Sequence, residues 1–224
     1  MIVLCRTLIA SVLVVAAMPF AHAAGEALAC PAETAPVVTA ARDASNGLFT
    51  RPEAGIPAAK CTTRGLYVTA QDVFDMVSEA PKKVLFIDVR TRGELQFIGM
   101  PTLVDAHVPL VVETSPPQWD EANSTLKLVP NPTFVEDVDR RLAQKGLTRD
   151  DLVIAICQAG MRAARAANVL TQAGYTKVYT TIDGFEGDPV PDGPHKGERL
   201  VNGWRNAGLP WTAKLDRAKM YGLD

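Results

Sequence analysis

Histidine and aromatic side chains are scarce in this sequence. Only 3 histidines occur among 224 residues, and Phe, Trp and Tyr together make up 6%. No cluster of cysteine and histidine has the spacing of a metal site, so we expect no metal centre. Long runs of one charge are also missing, and the formal net charge is −2. This balance gives no reason to expect nucleic acid or an anionic membrane surface as a partner.

The longest apolar run, LIASVLVVAAMPF, lies at the N-terminus and ends in AHA (Ala21–Ala23), which has the form of a cleavage site. This order predicts a secretory signal peptide over residues 1–23, because the run is short for a bilayer span. An uncleaved anchor is the alternative, and the small residues that end the run weaken it. Lipid attachment at Cys30 is another, but Gly25 and Glu26 separate that cysteine from the run. We expect an exported, periplasmic protein with no membrane span after cleavage.

Cysteines are few, and their number after cleavage is odd. Loss of Cys5 leaves Cys30, Cys61 and Cys157 in a compartment where cysteines tend to pair. Cys30 and Cys61 lie in polar surroundings interrupted by Pro and Gly, whereas Cys157 ends an apolar run. We therefore expect a Cys30–Cys61 disulfide and a free Cys157. The alternative that Cys30 or Cys61 resolves an oxidised Cys157 stays open.

The rest of the chain divides by its hydrophobic pattern. Residues 24–64 are rich in Ala and Pro and predict an irregular extension. From residue 65, continuous apolar runs predict buried parallel strands at 65–68, 83–87, 105–111, 152–156 and 177–181. Helical patterns lie between most of them, after a capping box at Thr69 and Asp72 and at 133–145 and 161–174. This alternation predicts an α/β domain. Residues 111–131 read as a surface loop, and residues 189–224 as a tail that packs on the domain through Trp204 and Trp211.

The stretch CQAGMRA (157–163) has the features of a small anion cradle. Gly160 permits a sharp turn that points successive amides at one sulfur, and the helix that starts near Met161 directs its positive end there. Arg162 adds a fixed positive charge, so the surroundings favour the thiolate. Asp88 and Cys157 both follow strands, which places them at the same edge of the sheet. The alternatives are a buried structural cysteine and a cysteine protease, for which nothing local supports a pair with His107 or His195.

Three longer stretches resemble the rhodanese family of sulfurtransferase domains. FIDVRTRGELQFIG (Phe86–Gly99) is similar to the family's strand that ends in Asp-x-Arg. VIAICQAGMRAARAANVLTQAGYTKVYTTIDGF (Val153–Phe185) is similar to its active-site loop, following helix and last strand. GFEGD (184–188) and NGWRNAGLPW (202–211) resemble a periplasmic single-domain branch. The resemblance implies a rhodanese-like parallel sheet, flanked by helices on both faces, over residues 65–188, with irregular N- and C-terminal extensions.

The resemblance also implies the roles of individual residues. Cys157 would carry a sulfane sulfur as a persulfide, and Arg162 would close the loop as the second catalytic residue. Asp88 and Arg90 would support the strand end. The substrate-binding positions are those whose backbone would surround the sulfur: Gln158, Ala159, Gly160, Met161 and Ala163. Four residues separate Cys157 from Arg162, whereas related phosphatases have five, so the loop is sized for sulfur rather than phosphate.

Two positions depart from the family pattern. Many family loops have Arg after the cysteine and Ser after the closing arginine, where this chain has Gln158 and Ala163. The lost positive charge weakens attraction for small anions, although His195, Lys196 and Arg199 would restore charge if the tail covered the site. We predict a sulfurtransferase without a cofactor, which moves sulfur from a donor such as thiosulfate or a persulfide to a thiophilic acceptor. An exported redox or sulfur-carrier protein is a candidate partner. A non-catalytic persulfide carrier or partner-binding module is the alternative.

Overall fold

The computed structural model of the chain describes residues 55–223. Its α-helices, in chain order, are α1 (Ala70–Glu79), α2 (Arg92–Ile98), α3 (Phe134–Gln144) and α4 (Met161–Gln172). Its strands are β1 (Tyr67–Val68), β2 (Val84–Asp88), β3 (Met100–Pro101), β4 (Ala106–His107), β5 (Val111–Glu113), β6 (Trp119–Asp120), β7 (Thr125–Leu126), β8 (Leu128–Pro130), β9 (Leu152–Ile156), β10 (Lys177–Thr181) and β11 (Trp211–Thr212). Short 3-10 helices lie at Ala58–Lys60 and Arg217–Lys219.

The central sheet has five strands in the order β1-β10-β9-β2-β4. Every neighbouring pair is parallel, as the continuous apolar runs predicted. β2 and β9 are the two inner strands that pair over five residues each, from Val84 opposite Leu152 to Asp88 opposite Ile156. Their carboxyl ends therefore meet at the middle of one sheet edge.

Helices cover both faces of the sheet, which confirms the predicted fold class. Alternate residues of β2 and β9 point to opposite faces. Leu85 and Ala155 pack with α3 and α4, where small alanines let α4 lie close to the sheet. Phe86 and Ile154 pack with α1, α2 and Trp204 of the tail. The cores on the two faces hold the sheet edge with Cys157 in a fixed position.

Two helices begin with complete capping boxes. Thr69 accepts a hydrogen bond from the Asp72 amide, and the Asp72 carboxylate accepts one from the Thr69 amide, which confirms the predicted start of α1. Thr91 and Glu94 form the same arrangement at α2. The second box fixes Glu94 next to the end of β2, where its carboxylate pairs with Arg162.

Two segments differ from the sequence-based prediction. The strand expected at 105–111 is wrong beyond His107, because its partner β2 ends at Asp88, opposite His107, and Val111 already belongs to β5. The expected loop at 111–131 contains two antiparallel ribbons, in which β5 pairs with β8 and β6 with β7. Its residues are polar or exposed, so their pairing leaves no burial pattern in the sequence.

The tail after residue 188 packs on the domain mainly through Trp204, which is fully buried against Phe74 and Phe86. Trp211 is 42% exposed and anchors the tail differently, through pairing of β11 with β3 and an edge contact with Phe185. Within residues 55–223, no helix is long and apolar enough to cross a membrane. The predicted signal peptide and Cys30 lie outside the described residues.

Candidate functional site

Cys157 lies directly after β9, at the middle of the carboxyl edge of the sheet. It is a free cysteine with 1% of its surface exposed. Asp88 ends β2 beside it, so the two residues share the edge that the strand pattern predicted. The candidate site is therefore built on β2 and β9, which are two of the three inner strands of the sheet.

The segment 157–163, called the cysteine loop from here on, turns back over the thiol. Gly160 has φ +95°, and its N–H donates a hydrogen bond to the Cys157 sulfur at 3.2 Å. A Cβ at Gly160 would come within 2.3 Å of the Ile182 carbonyl oxygen, so only glycine fits this turn. α4 begins at the next residue, and the N–H groups of its first turn, from Met161 to Ala163, have no acceptor within the helix. The positive end of α4 and the Gly160 amide thus lie on the cysteine side of the turn, an arrangement that favours a negative charge on the sulfur.

The segment after β10 holds the cysteine loop from behind. The Phe185 amide donates to the Cys157 carbonyl at 2.8 Å, and the Glu186 amide donates to the Gln158 carbonyl at 2.9 Å. A Cβ at Gly184 would come within 2.6 Å of the Gln158 carbonyl. The two loops therefore form one unit, which fixes the backbone on both sides of the thiol.

Arg162 makes a two-pronged ion pair with Glu94, at 2.6 and 2.5 Å. Burial opposes ionisation of both groups, yet the pairing holds the pKa of Glu94 below its ordinary value and that of Arg162 above its own. The charges of Cys157 and Asp88 also act on Arg162. Arg162 lies in the first turn of α4, and Glu94 neutralises much of its charge, so its catalytic role stays a prediction.

Asp88 and Arg90 form a fully buried ion pair, in which the Arg90 Nη2 lies 2.6 Å from the carboxylate. The same nitrogen donates to the Gly99 carbonyl at 2.8 Å. The guanidinium lies 4.2 Å from the centre of the Phe185 ring, and Phe185 is hydrogen-bonded to Cys157. This chain of contacts ties the β2 end and the α2–β3 turn to the cysteine loop, which fits the supporting role expected of the pair.

The remaining loop positions are used differently from one another. The Gln158 amide donates to the Glu186 carboxylate at 2.9 Å, so the position that is often Arg in the family faces a carboxylate here. Ala159 and Ala163 are buried, and Ala163 packs in the core below α4. Met161 is 47% exposed at the mouth of the loop. Of the loop positions, the Gly160 amide is the one that the structure shows in contact with the sulfur, and substrate binding by the others stays a prediction.

Lys60 is a part of the site that the sequence did not indicate. Its ammonium pairs with Asp188 at 2.8 Å and donates to the Ile182 carbonyl at 2.9 Å. Its side chain also passes the Gly160 turn, as its Cδ would lie 3.1 Å from a Cβ there. Lys60 thereby fastens the segment before β1 to the back of the cysteine loop. No motif marks it, because the partners are distant in sequence.

Neither His107 nor His195 is hydrogen-bonded to the Cys157 thiol, and each has another partner. The His107 Nε2 donates to the Arg90 carbonyl at 2.8 Å, and burial lowers the pKa of His107, so the neutral ring holds that carbonyl. His195 is exposed and paired with Glu198, whereas Arg199 donates to the Gly187 carbonyl. His107 is thus a structural residue at the end of β4.

The cysteine pairing stays a prediction, because Cys30 lies outside the described residues. Cys61 follows the first 3-10 helix, and its carbonyl accepts a hydrogen bond from Asn168 of α4. Among residues 55–223, no group of three or more His, Cys, Asp or Glu side chains is arranged to hold a metal ion.

Comparison with known proteins identifies the family. The profile of the Rhodanese-like domain matches residues 69–187, which are 119 of the 224 residues. The chain therefore belongs to the rhodanese-like domain family. Membership of this family supports a sulfurtransferase-type function in general.

Individual relatives match mainly over this domain. The "Uncharacterized protein RP600 homolog" of Rickettsia rickettsii is 26% identical over 144 residues, covering 64% of this chain and 94% of the relative. "Uncharacterized protein RP600" of Rickettsia prowazekii is 28% identical over 125 residues, covering 56% and 80%. The crystal structure of Rv0390 from M. tuberculosis is 29% identical with a TM-score of 0.50, covering 66% and 97%.

Proposed function

We propose that the chain moves sulfane sulfur from a donor, such as thiosulfate or a persulfide, to a thiophilic acceptor through a persulfide on Cys157. The observation that carries this proposal is the hydrogen bond from the Gly160 amide to the sulfur of a free cysteine at a strand end. The four residues between Cys157 and Arg162 also support it, because the family resemblance implies that a loop of this length takes a single sulfur rather than a phosphate. Export to the periplasm belongs to the same proposal and rests on the N-terminal sequence.

The reaction has two balanced steps. The Cys157 thiolate attacks the sulfane sulfur of thiosulfate, the S–S bond of the donor breaks, and sulfite leaves with the electron pair. An acceptor nucleophile then attacks the outer sulfur of the persulfide, and the Cys157 thiolate leaves. The loop amides and the N-terminus of α4 stabilise the negative sulfur in both states, so no cofactor takes part.

The test is turnover by the full chain with thiosulfate as donor and cyanide as acceptor. Thiocyanate should accumulate well beyond one equivalent of protein, with the parallel reciprocal plots of a two-step exchange. Cys157→Ser, which removes the nucleophile while keeping the shape of the side chain, should abolish it. Activity that persists in Cys157→Ser would show that another residue carries the sulfur.

A persulfide carrier without steady turnover is the second candidate, and two observations favour it. Cys157 is 1% exposed and Gln158 is engaged with Glu186, so the site offers little free positive charge to an incoming dianion. A carrier should load once and then release sulfur only to a specific partner. A single equivalent of thiocyanate, followed by no further product, would favour the carrier over the enzyme.

A further inference from the structure

The ribbons of residues 111–130, called the arm from here on, present an apolar face to solvent. Trp119 lies opposite Leu126, and Glu113 lies opposite Leu128. Residues directly opposite each other in antiparallel strands share a face. Trp119, Leu126 and Leu128 are 55%, 49% and 44% exposed, respectively. A group of exposed large apolar side chains is typical of a surface that contacts another molecule.

The arm borders a cleft next to the cysteine loop. The cleft has a volume of about 390 Å³, and residues from three parts of the fold line it: Thr91, Glu94, Glu113, Thr125, Leu126, Leu128 and Arg162. Arg162 is the cysteine-loop residue in this lining, and its charge interacts with that of Cys157, so the apolar side chains of the arm lie at the edge of the cysteine loop. A cleft of this size accepts a few side chains of an extended peptide.

The charges around the cleft favour a positively charged ligand. Arg162 is the one cation in its lining within the described residues, and Glu94 pairs with it. Glu113 adds a carboxylate to the wall. The arm as a whole carries Glu113, Asp120 and Glu121 against Lys127, a net charge of −2. On the other side of the loop, Glu186 is paired with the neutral Gln158. Carboxylates thus outnumber available cations on the approach to the site.

The burial of Cys157 limits the shape of the acceptor. Because only 1% of Cys157 is exposed, an acceptor thiol has to enter between the side chains around the cysteine loop, which suits a narrow extended segment better than a broad folded surface. We propose that the cleft docks an extended basic and apolar segment of a partner protein, which presents a cysteine as the sulfur acceptor. Leu126 and Leu128 would contact its apolar side chains, and Glu113 would pair with its Lys or Arg.

The transfer step, which rests on the proposed function, balances without an oxidant or reductant. The partner thiol first loses its proton to water. Its thiolate attacks the outer sulfur of the Cys157 persulfide, one S–S bond forms and one breaks, and Cys157 leaves as a thiolate. The sulfane sulfur ends on the partner cysteine as a persulfide.

The docking surface is tested separately from the chemistry. Fluorescent peptides of about ten residues, built on Lys-Leu-Ser-Leu-Lys, Glu-Leu-Ser-Leu-Glu or Lys-Gly-Ser-Gly-Lys, are titrated with the unloaded full chain and read by anisotropy. The basic apolar peptide should bind at least about tenfold more tightly than either of the others. Leu126→Ser with Leu128→Ser, and separately Glu113→Lys, should each weaken it about fivefold or more.

Matched controls are available elsewhere on the surface. Leu200→Ser removes a comparably exposed leucine from the tail, and Glu136→Lys reverses an exposed charge on α3. Neither should change the binding, and thermal unfolding of all variants verifies the fold. Equal binding of the three peptides, or equal losses in the control variants, would overturn the docking surface.

The acceptor role is then tested with the cysteine forms of the same peptides. The full chain is loaded with sulfur from inorganic polysulfide, and transfer to each peptide is followed by mass spectrometry. Transfer to the basic apolar peptide should be at least about tenfold faster, and lost in the arm variants. Loading and discharge by cyanide without peptide preference would refute this inference alone. Failure to load Cys157 would refute the proposed function, and with it the acceptor role, whatever the anisotropy shows.

Discussion

The stability of this fold should depend on pH through one buried carboxyl, Asp183. This residue follows β10 and accepts a hydrogen bond from the Ala70 amide, the first of α1, at 2.9 Å. Burial is the largest influence and raises the pKa of Asp183 to about 6, against the lowering effects of the Ala70 and Gly203 amides and of Lys60. Asp183→Asn keeps the size and the acceptor oxygen but removes the ionisation.

The expected effect follows from the difference between the folded and unfolded pKa. Below the unfolded value of 3.8 both states are protonated, and the folded state has its full relative stability. As pH rises towards about 6, the unfolded chain releases its proton while the folded chain retains it, so stability falls and then levels off. A shift of about 2 units corresponds to a loss of about 3 kcal/mol at most.

Urea unfolding between pH 4.5 and 7.5 measures this loss, followed by tryptophan fluorescence, to which the buried Trp204 contributes together with Trp119 and Trp211. The free energy of unfolding of Asp183→Asn, relative to the wild type, should rise by about 2 kcal/mol over this range, because about a third of the full loss has already occurred at pH 4.5. Asp150→Asn, the same change at an exposed position, controls for the loss of a charge. A difference between Asp183→Asn and wild type that does not vary with pH would refute the reasoning.

Three other substitutions test the site and the tail. Gly160→Ala should abolish sulfur loading and lower the unfolding free energy by several kcal/mol, because its Cβ would meet the Ile182 carbonyl. Gly146→Ala, where a Cβ meets nothing within 4 Å, should cost only about 1 kcal/mol in the same denaturant titration. Arg162→Lys should slow persulfide formation about tenfold in a stopped assay, because Lys cannot make the two-pronged pair with Glu94, whereas Arg165→Lys at an exposed position should not. Trp204→Ala should cost about 3–5 kcal/mol by circular dichroism, and a loss below 1 kcal/mol would mean that the tail does not stabilise the core.

The central elements of the fold could be predicted from the sequence because buried strands and helices require apolar side chains in characteristic patterns. β2 and β9 are short and almost entirely apolar, as a parallel strand that is buried on both faces requires, and β10 combines Val178 and Tyr179 with two β-branched threonines. Thr69 and Asp72 marked the start of α1, since a capping box is local in sequence. The position of Cys157 between a strand and a helix followed from the same local signals.

Other features are set by contacts between distant residues and have no local signal. Glu94 and Arg162 are 68 residues apart, and Lys60 and Asp188 are 128 apart. α2 spans seven residues, which is too short for a clear helical period, although Thr91 and Glu94 carry the same cap pattern as α1. The strands of the arm are exposed, so their alternation is not enforced by a core. Charge neutralisation of Arg162 could thus be found only in the structure.

The central claim is that Cys157 accepts sulfur into the ring of loop amides. Intact and peptide mass spectrometry after incubation of the reductant-free full chain with thiosulfate, and in parallel with inorganic polysulfide, tests it most directly. The account predicts a gain of one sulfur atom on the peptide that contains Cys157, removed by cyanide and absent from Cys157→Ser. A Cys157 that gains no sulfur from either donor, while remaining open to alkylation, would contradict it.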